Sequence, residues 1–469
     1  MSLFSNLSIG SQALMSFQKG IDVANKNMTN VYTEGYKREV PVFSNFPTQG
    51  VDFAAAKRVY DDRLLDRYIQ TNQNKSYYES YSSSLSSMEQ VFNDISGTGF
   101  AGALDNFFLS MNDVITAPDN LASRDSFLYA AQSLTGRIRD SYEALQNQKE
   151  TNHQSIKDNV SELNDKLKSL ASINQTIKNS IGNDSTYNSA LNQRDLLLEE
   201  ISSLVDTKVR FNADGTVDLF SAKGHELVLY DKASTLSVKT EQQNVTVTDP
   251  DTGDTLSYNI FETRVSINNV DLTSEFTKGK IGAKLQYEKD LDESIKSLNT
   301  FTFKFAREVN SIQTAGFDLN GNAGIELFAN ENGGTANIDA SNIILNFDDP
   351  ALVAAATDPT NIQSDNVNIK NLQNLQDMTY AVLNNQSFNE YYNSQLVAKS
   401  GLKKSHADNL FAENDALLES INTKMEELSG VNMDEELIRL TQLQRSYEAS
   451  ARIITVTDEL LQTVLGLVR

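Results

Sequence analysis

Both ends of this chain carry the same apolar repeat, and that limits the folds open to it more than any other feature. At the N-terminus, Leu3, Leu7, Gly10, Leu14, Phe17, Ile21, Ala24, Met28 and Val31 follow one another in steps of four and three. At the C-terminus, Met433, Leu437, Leu440, Gln444, Tyr447, Ala451, Ile454, Asp458, Leu461, Leu465 and Val468 do the same. Such spacing puts every member on one stripe of an α-helix, as in the seam of a coiled coil. Gly10, Gln444 and Asp458 interrupt the stripes, and a polar seam position commonly sets register at a cost in stability. One narrow stripe does not stabilise a helix alone in water. Two readings stay open. The stripes can face each other as a terminal coiled coil, with the rest of the chain projecting from it, or they can pack separately on a globular core. The residues marked for a seam are Leu3, Leu7, Leu14, Phe17, Ile21 and Met28 at one end and Leu437, Leu440, Tyr447, Ile454, Leu461 and Leu465 at the other.

Between the ends, helical periods dominate. They cover 62–96, 103–116 and 121–148, with a turn at Pro118-Asp119-Asn120. Further 4-3 runs occupy 151–182 and 291–312, and 366–428 is largely helical. From about Val205 to Asp271 the period changes to two. Lys208–Phe211 and Thr216–Phe220 flank Asn212-Ala213-Asp214-Gly215, a hairpin signal. Glu226–Tyr230, Thr235–Lys239, Val245–Thr248, Leu256–Phe261 and Arg264–Val270 read as further strands, and Ile343–Phe347 as an isolated one. The fold class expected is mainly α with an inserted small β domain: a terminal coiled-coil pair, an elongated helical bundle and an antiparallel β domain at the outer end. The domain division expected is 1–40 with 425–469, then 41–204 with 276–424, and 205–275 as the β insertion.

Composition narrows the chemistry. The formal charge is -23, which argues against a phosphate-binding surface and so against nucleic acid. With no cysteine, disulfides, zinc–thiolate sites and thiol nucleophiles are excluded. The first twenty residues lack the basic and apolar regions of a cleaved secretory signal. No stretch of about eighteen apolar residues marks a membrane span. His153, His225 and His406 are in no ligand spacing. Gly97–Gly102 matches G-x-G-x-x-G, but a helix precedes it where a dinucleotide site needs a strand. Asp318-Leu319-Asn320-Gly321-Asn322 opens like a calcium loop, yet Ala323 and Ala329 occupy the positions that need Gly and Glu. Asp249, Asp251 and Asp254 could share a cation at a hairpin tip but read more simply as solvated. No cofactor, metal or catalytic residue is expected, and the reading is that the chain is not an enzyme; a nucleotide-binding enzyme built on Gly97–Gly102 is a remote alternative.

Two segments beside the terminal helices are more specific than periodicity. Asn25-Lys26-Asn27-Met28-Thr29-Asn30-Val31-Tyr32-Thr33-Glu34-Gly35-Tyr36-Lys37-Arg38 resembles the N-N-x-x-N-x-x-T-x-G-Y-x-R signature of bacterial flagellar rod, hook and hook-associated proteins. Asn27, Asn30, Thr33, Gly35, Tyr36 and Arg38 match it; Asn25 stands one place from the expected adjacent asparagine. Ser429-Gly430-Val431-Asn432-Met433-Asp434-Glu435-Glu436 resembles the S-G-V-N-x-D-E-E start of the C-terminal helix in the same proteins. Read physically, Asn432 is an N-cap and the acids suit the positive helix start. Gly99–Arg124, Asp214–Val217, Lys278–Leu285 and Ala306–Phe328 resemble, in order, segments of the hook-associated protein 1 family. After Phe328 the chain is short where many members insert a further β domain.

The resemblance implies a structural subunit at the junction of hook and filament, assembling through its terminal helices into a ring or helical layer with copies of itself. It implies hook protein on one side and hook-associated protein 3 on the other. It also implies an extracellular location on the flagellum, reached through the type III export apparatus with a cytoplasmic chaperone and no cleaved signal. Another flagellar axial protein (hook, distal rod or hook-associated protein 3) is the alternative reading.

Overall fold

Helix α1 (Leu3–Thr29) takes up almost the whole first repeat in the computed structural model, which describes residues 3–46, 50–92, 97 and 99–467. An antiparallel hairpin follows, β1 (Glu39–Phe46) and β2 (Gly50–Arg58), with a bulge between Val42 and Phe43. The sequence reading foresees no strand here. Pro41 argues against one, but a two-stranded sheet consists only of edges, where proline is tolerated.

Helices α2 (Asp62–Phe92), α3 (Phe100–Thr116), α4 (Leu121–Asn179) and α5 (Asp184–Leu204) come next. The 4-3 runs at 121–148 and 151–182 join into the single 59-residue α4. It holds no proline to break it, and Gly182 at φ +95° follows its end. The strands β3 (Thr207–Phe211), β4 (Val217–Ser221), β5 (Glu226–Leu229) and β6 (Lys232–Ala233) form a four-stranded antiparallel sheet in sequence order. β7 (Leu236–Thr248), β8 (Thr255–Ile267) and β9 (Val270–Asp271) form a second, three-stranded sheet. Here four expected short strands merge into two of 13 residues each. The polar run Glu241–Asn244 has weak strand preference, but cross-strand pairing to Asn259–Glu262 carries the ladder through it.

The remainder is α6 (Gly279–Ala315), the short pair β10 (Phe328–Asn330) and β11 (Ile343–Leu345), α7 (Val367–Asn374), α8 (Phe388–Tyr391), a π-helical turn at Tyr392–Ala398, α9 (Lys399–Ser429) and α10 (Met433–Leu467). The architecture is mainly α with small antiparallel sheets.

Contacts divide the chain into two units. One comprises 1–76, 161–235 and 412–469, the other 77–160 and 236–411. The second unit has an aromatic core: Phe107, Phe301, Phe305, Phe328 and Phe388 are all buried, with Phe301 and Phe305 stacked at 5.8 Å. At its β7–β8 tip, Asp249 is not solvated, as the sequence suggests, but fully buried. It pairs with the Lys304 ammonium of α6 at 2.8 Å, while Asp254 pairs with Arg307. The protein's own cations therefore occupy the place where a shared cation was considered. The first unit contains both terminal helices and the motif segments that flank them.

Candidate assembly site

The two terminal stripes meet. α1 and α10 run antiparallel, with Gly10 against Ile454 and Gly20 against Leu443. On the α1 side the contact is made by small residues rather than by the large ones of the repeat. On α1 the buried positions are Gly10, Ala13, Ser16, Gly20, Val23, Ala24 and Asn27. Leu3, Leu7, Leu14, Phe17, Ile21 and Met28 are each half-buried. On α10 the buried positions are Glu436, Leu443, Ser450 and Thr457, one every seven residues. Leu440, Ile454 and Leu461 flank them half-buried, whereas Leu437, Tyr447 and Leu465 are exposed, Leu465 at 67%. Val468 lies outside the described residues.

The reason is that α1 serves two surfaces. Its other flank packs on the β1–β2 hairpin. Phe17 meets Phe43 at 5.8 Å, and Phe43 meets Phe53 edge-on at 6.2 Å. Ser16 Oγ donates to the Val51 carbonyl at 3.1 Å and accepts from the Phe53 N–H at 3.0 Å. Large residues fill the hairpin side, and small ones let α10 approach closely. A run of small residues spaced three or four apart in α1 is the sequence signal that could have marked this face.

The flagellar-type motif forms a polar knot at the base of the pair. Asn27, fully buried, closes α1 onto β1: its Nδ2 donates to the Glu39 carbonyl at 2.8 Å and its Oδ1 accepts from the Glu39 N–H at 3.0 Å. The Tyr36 hydroxyl donates to the same Oδ1 at 2.7 Å. Lys26 reaches the buried Glu39 carboxylate at 2.5 Å. Burial, then Glu39 and Glu436, push the Tyr36 phenol well above its usual range, so it stays a donor. Asn30 ends the helix by donating to the Lys26 carbonyl at 2.8 Å, and Thr33 Oγ1 donates to Asn30 Oδ1 at 3.1 Å. Gly35 adopts φ +73°, which only glycine takes without strain, and faces Leu196 of α5. Arg38 joins the other terminus. Its N–H donates to the Ser429 carbonyl at 2.9 Å and its guanidinium pairs with Glu435 at 2.9 Å. Asn432 caps α10 by accepting from the Asp434 N–H at 3.0 Å. The structure thus brings Asn27, Tyr36 and Arg38 together around the start of α10, while Asn30, Thr33 and Gly35 shape the connecting loop.

That loop and the α9–α10 turn border a cavity of ≈ 990 Å3, also lined by Tyr68 and Glu199. Burial raises Glu199 to about 7 against the opposing pull of Lys37, and burial raises Tyr68 to about 12. Tyr32 stands 98% exposed on the loop.

α10 keeps a second apolar stripe that α1 does not cover. Ile453, Val456, Leu460, Val464 and Leu467 are all exposed, and so is Phe4 at the neighbouring end of α1, at 72%. Steps of three and four place the five on one face of the helix. No described helix is long and apolar enough to cross a membrane. The described residues include no group of three or more metal-ligating side chains. His225 and His406 are exposed, and His153 is hydrogen-bonded to Thr263 at 2.8 Å. In the 97–102 glycine segment α3 begins at Phe100, and α2 is the element before it. Asp318 folds its own turn, accepting from the N–H groups of Asn320 and Asn322 at 2.8 Å.

Residues 85–328 match the family described as the flagellar hook-associated protein FlgK helical domain, and 423–467 match the flagellar basal body rod FlgEFG protein C-terminal family. The chain is 24% identical over 501 residues to flagellar hook-associated protein 1 of Bacillus subtilis (strain 168), covering 99% of this chain and 98% of that one. It is 21% identical over 547 residues to flagellar hook-associated protein 1 of Escherichia coli (strain K12), covering 97% and 98%. Among solved structures, the flagellar hook junction protein FlgK from Burkholderia pseudomallei aligns with a TM-score of 0.46 at 20% identity, over 56% of this chain and 46% of that one.

Proposed function

The chain belongs to the flagellar hook-associated protein FlgK family, and from that premise we propose that it is a structural subunit of the flagellar hook–filament junction, built into it through α1 and α10. The observation that carries this reading is the second apolar stripe of α10. A helix whose partner is already in place still presents Ile453, Val456, Leu460, Val464 and Leu467 to water. The acidic chain as a whole repels its own copies, so association rests on such apolar faces.

The seam residues of both helices and the Asn27–Tyr36–Arg38 knot are the assembly site in this reading. The knot holds the helix pair in register on the hairpin, and the exposed stripe meets neighbouring subunits. The same proposal includes hook protein and hook-associated protein 3 as the flanking partners. It includes export through the type III apparatus with a chaperone, and the three-part domain division at about 40, 205, 275 and 425. It assigns no catalysis.

A deletion strain tests it. The account expects complete hooks, with filament protein shed into the medium instead of polymerised. Arrest before the hook is finished would transfer the chain to the rod or hook.

A further inference from the structure

A separate feature of the first unit stands apart from the helix pair and does not depend on the assembly reading. Tyr230 occupies the two-residue connection between β5 and β6 with φ +54°. A bulky side chain rarely adopts that left-handed conformation, and hairpins usually place Gly or Asn there. The backbone is held in it from both sides. The Tyr230 N–H donates to Asp218 Oδ1 at 2.9 Å, and its carbonyl accepts from Asn174 Nδ2 at 2.7 Å. Both holders are buried and fixed by other bonds. Asp218 also accepts from Arg210 at 2.7 Å and Asn212 at 3.1 Å, and Asn174 accepts from the Val217 N–H at 3.0 Å. The result is a tyrosine held in place while 58% exposed. Backbone strain of this kind concentrates where a side chain is needed in one particular place.

The residue lines a cavity of ≈ 490 Å3. Across from it, the last turns of α4 contribute Gln175, Lys178 and Asn179, and β6 adds Lys232. None of these four side chains makes a hydrogen bond to another described residue. The lysines share the cavity with Asp214 and Asp231, so neither sign of charge dominates.

We propose that this cavity binds a neutral pyranose unit of an oligosaccharide, with Tyr230 as its stacking platform. A pyranose ring has an apolar C–H face and a rim of hydroxyls that both donate and accept. An exposed aromatic face suits the first. The carboxamides of Gln175 and Asn179, which also donate and accept, suit the second, and the two ammonium groups add donors. A cavity of a few hundred Å3 with a few convergent polar groups is ordinary for a small-ligand site. Balanced charge favours a neutral sugar over a phosphate or sulfate ester.

Saturation-transfer NMR on the intact chain tests this with a panel of neutral hexose and N-acetylhexosamine oligosaccharides. Wild type and Tyr230→Phe are expected to give transfer to at least one of them. Tyr230→Gly relieves the strained φ, so it is expected to unfold at the same or a higher temperature while losing about tenfold or more of the binding. Equal binding by Tyr230→Gly overturns the proposal, as does no transfer from wild type across the panel or transfer confined to sulfated or phosphorylated sugars. Hook–filament joining by Tyr230→Gly is a separate readout, so failure here leaves the assembly reading as it stands.

Discussion

Gly10 of α1 lies directly against Ile454 of α10: a Cβ on Gly10 would come within 2.8 Å of Ile454 Cγ1. The approach of the two terminal helices is therefore set by a missing side chain. Gly10→Leu should force them apart and cost about 1–3 kcal/mol, the usual range for overpacking. Ile454→Ala in the same chain should recover part of that loss, because the two sites touch. Urea unfolding of the single and double variants measures both. Simple additivity would show that the contact is not made.

Asn27 makes the polar closure between α1 and β1, and its removal strands several groups at once. Asn27→Ala leaves the Glu39 N–H and the Tyr36 hydroxyl without their acceptor. The expected loss is about 2–4 kcal/mol, since each buried unsatisfied group costs about 1–3. Tyr36→Phe removes one bond and should cost only about 1 kcal/mol. Hydrogen exchange at the Glu39 amide should speed up strongly in the first variant and little in the second.

Glu199 gives the first unit a pH dependence of definite sign. Burial raises its carboxyl from 4.5 to about 7, so the folded state binds this proton more tightly than the unfolded chain does. Its contribution to stability therefore grows as pH falls from about 7 to about 4.5 and is flat outside that window. Glu199→Gln should be more stable than wild type at pH 8 by about 1–2 kcal/mol, with the difference gone near pH 4.5. Thermal unfolding of the pair across this range provides the comparison.

In the second unit, Lys304 is buried between Asp249 at 2.8 Å and Glu308 at 2.7 Å. Asp249→Ala should cost about 3 kcal/mol, because an ammonium out of water loses one of its two counter-charges. Lys304→Met together with Asp249→Ala should cost less than Asp249→Ala alone, a result that calorimetry of the two variants decides.

The parts of this fold legible in the sequence were those governed by one period at a time. The 4-3 runs located the long helices, and Asn212–Gly215 located a hairpin whose Gly215 sits at φ +85°. The β1–β2 hairpin was not legible, because Pro41 and an irregular apolar pattern hide strands that pair with each other and pack on α1. The helix seam was legible as a stripe but not as a contact. Leu14, Phe17 and Ile21 are half-buried, and Phe17 packs on the hairpin, whereas Gly10 and Gly20 lie against α10. The motif residues were recognisable by resemblance alone. What Asn27 does with Glu39 and Tyr36 depends on a long-range closure that no local pattern encodes.

The exposed stripe of α10 is the centre of the account. A density map of the assembled junction on isolated hooks, obtained by electron cryo-microscopy at side-chain resolution, tests it most directly. The account requires Ile453, Val456 and Leu460 to be covered by a neighbouring subunit, with α1 still seated on α10 through Gly10 and Gly20. A junction in which those three side chains remain in solvent, or in which α1 and α10 have separated, would contradict it.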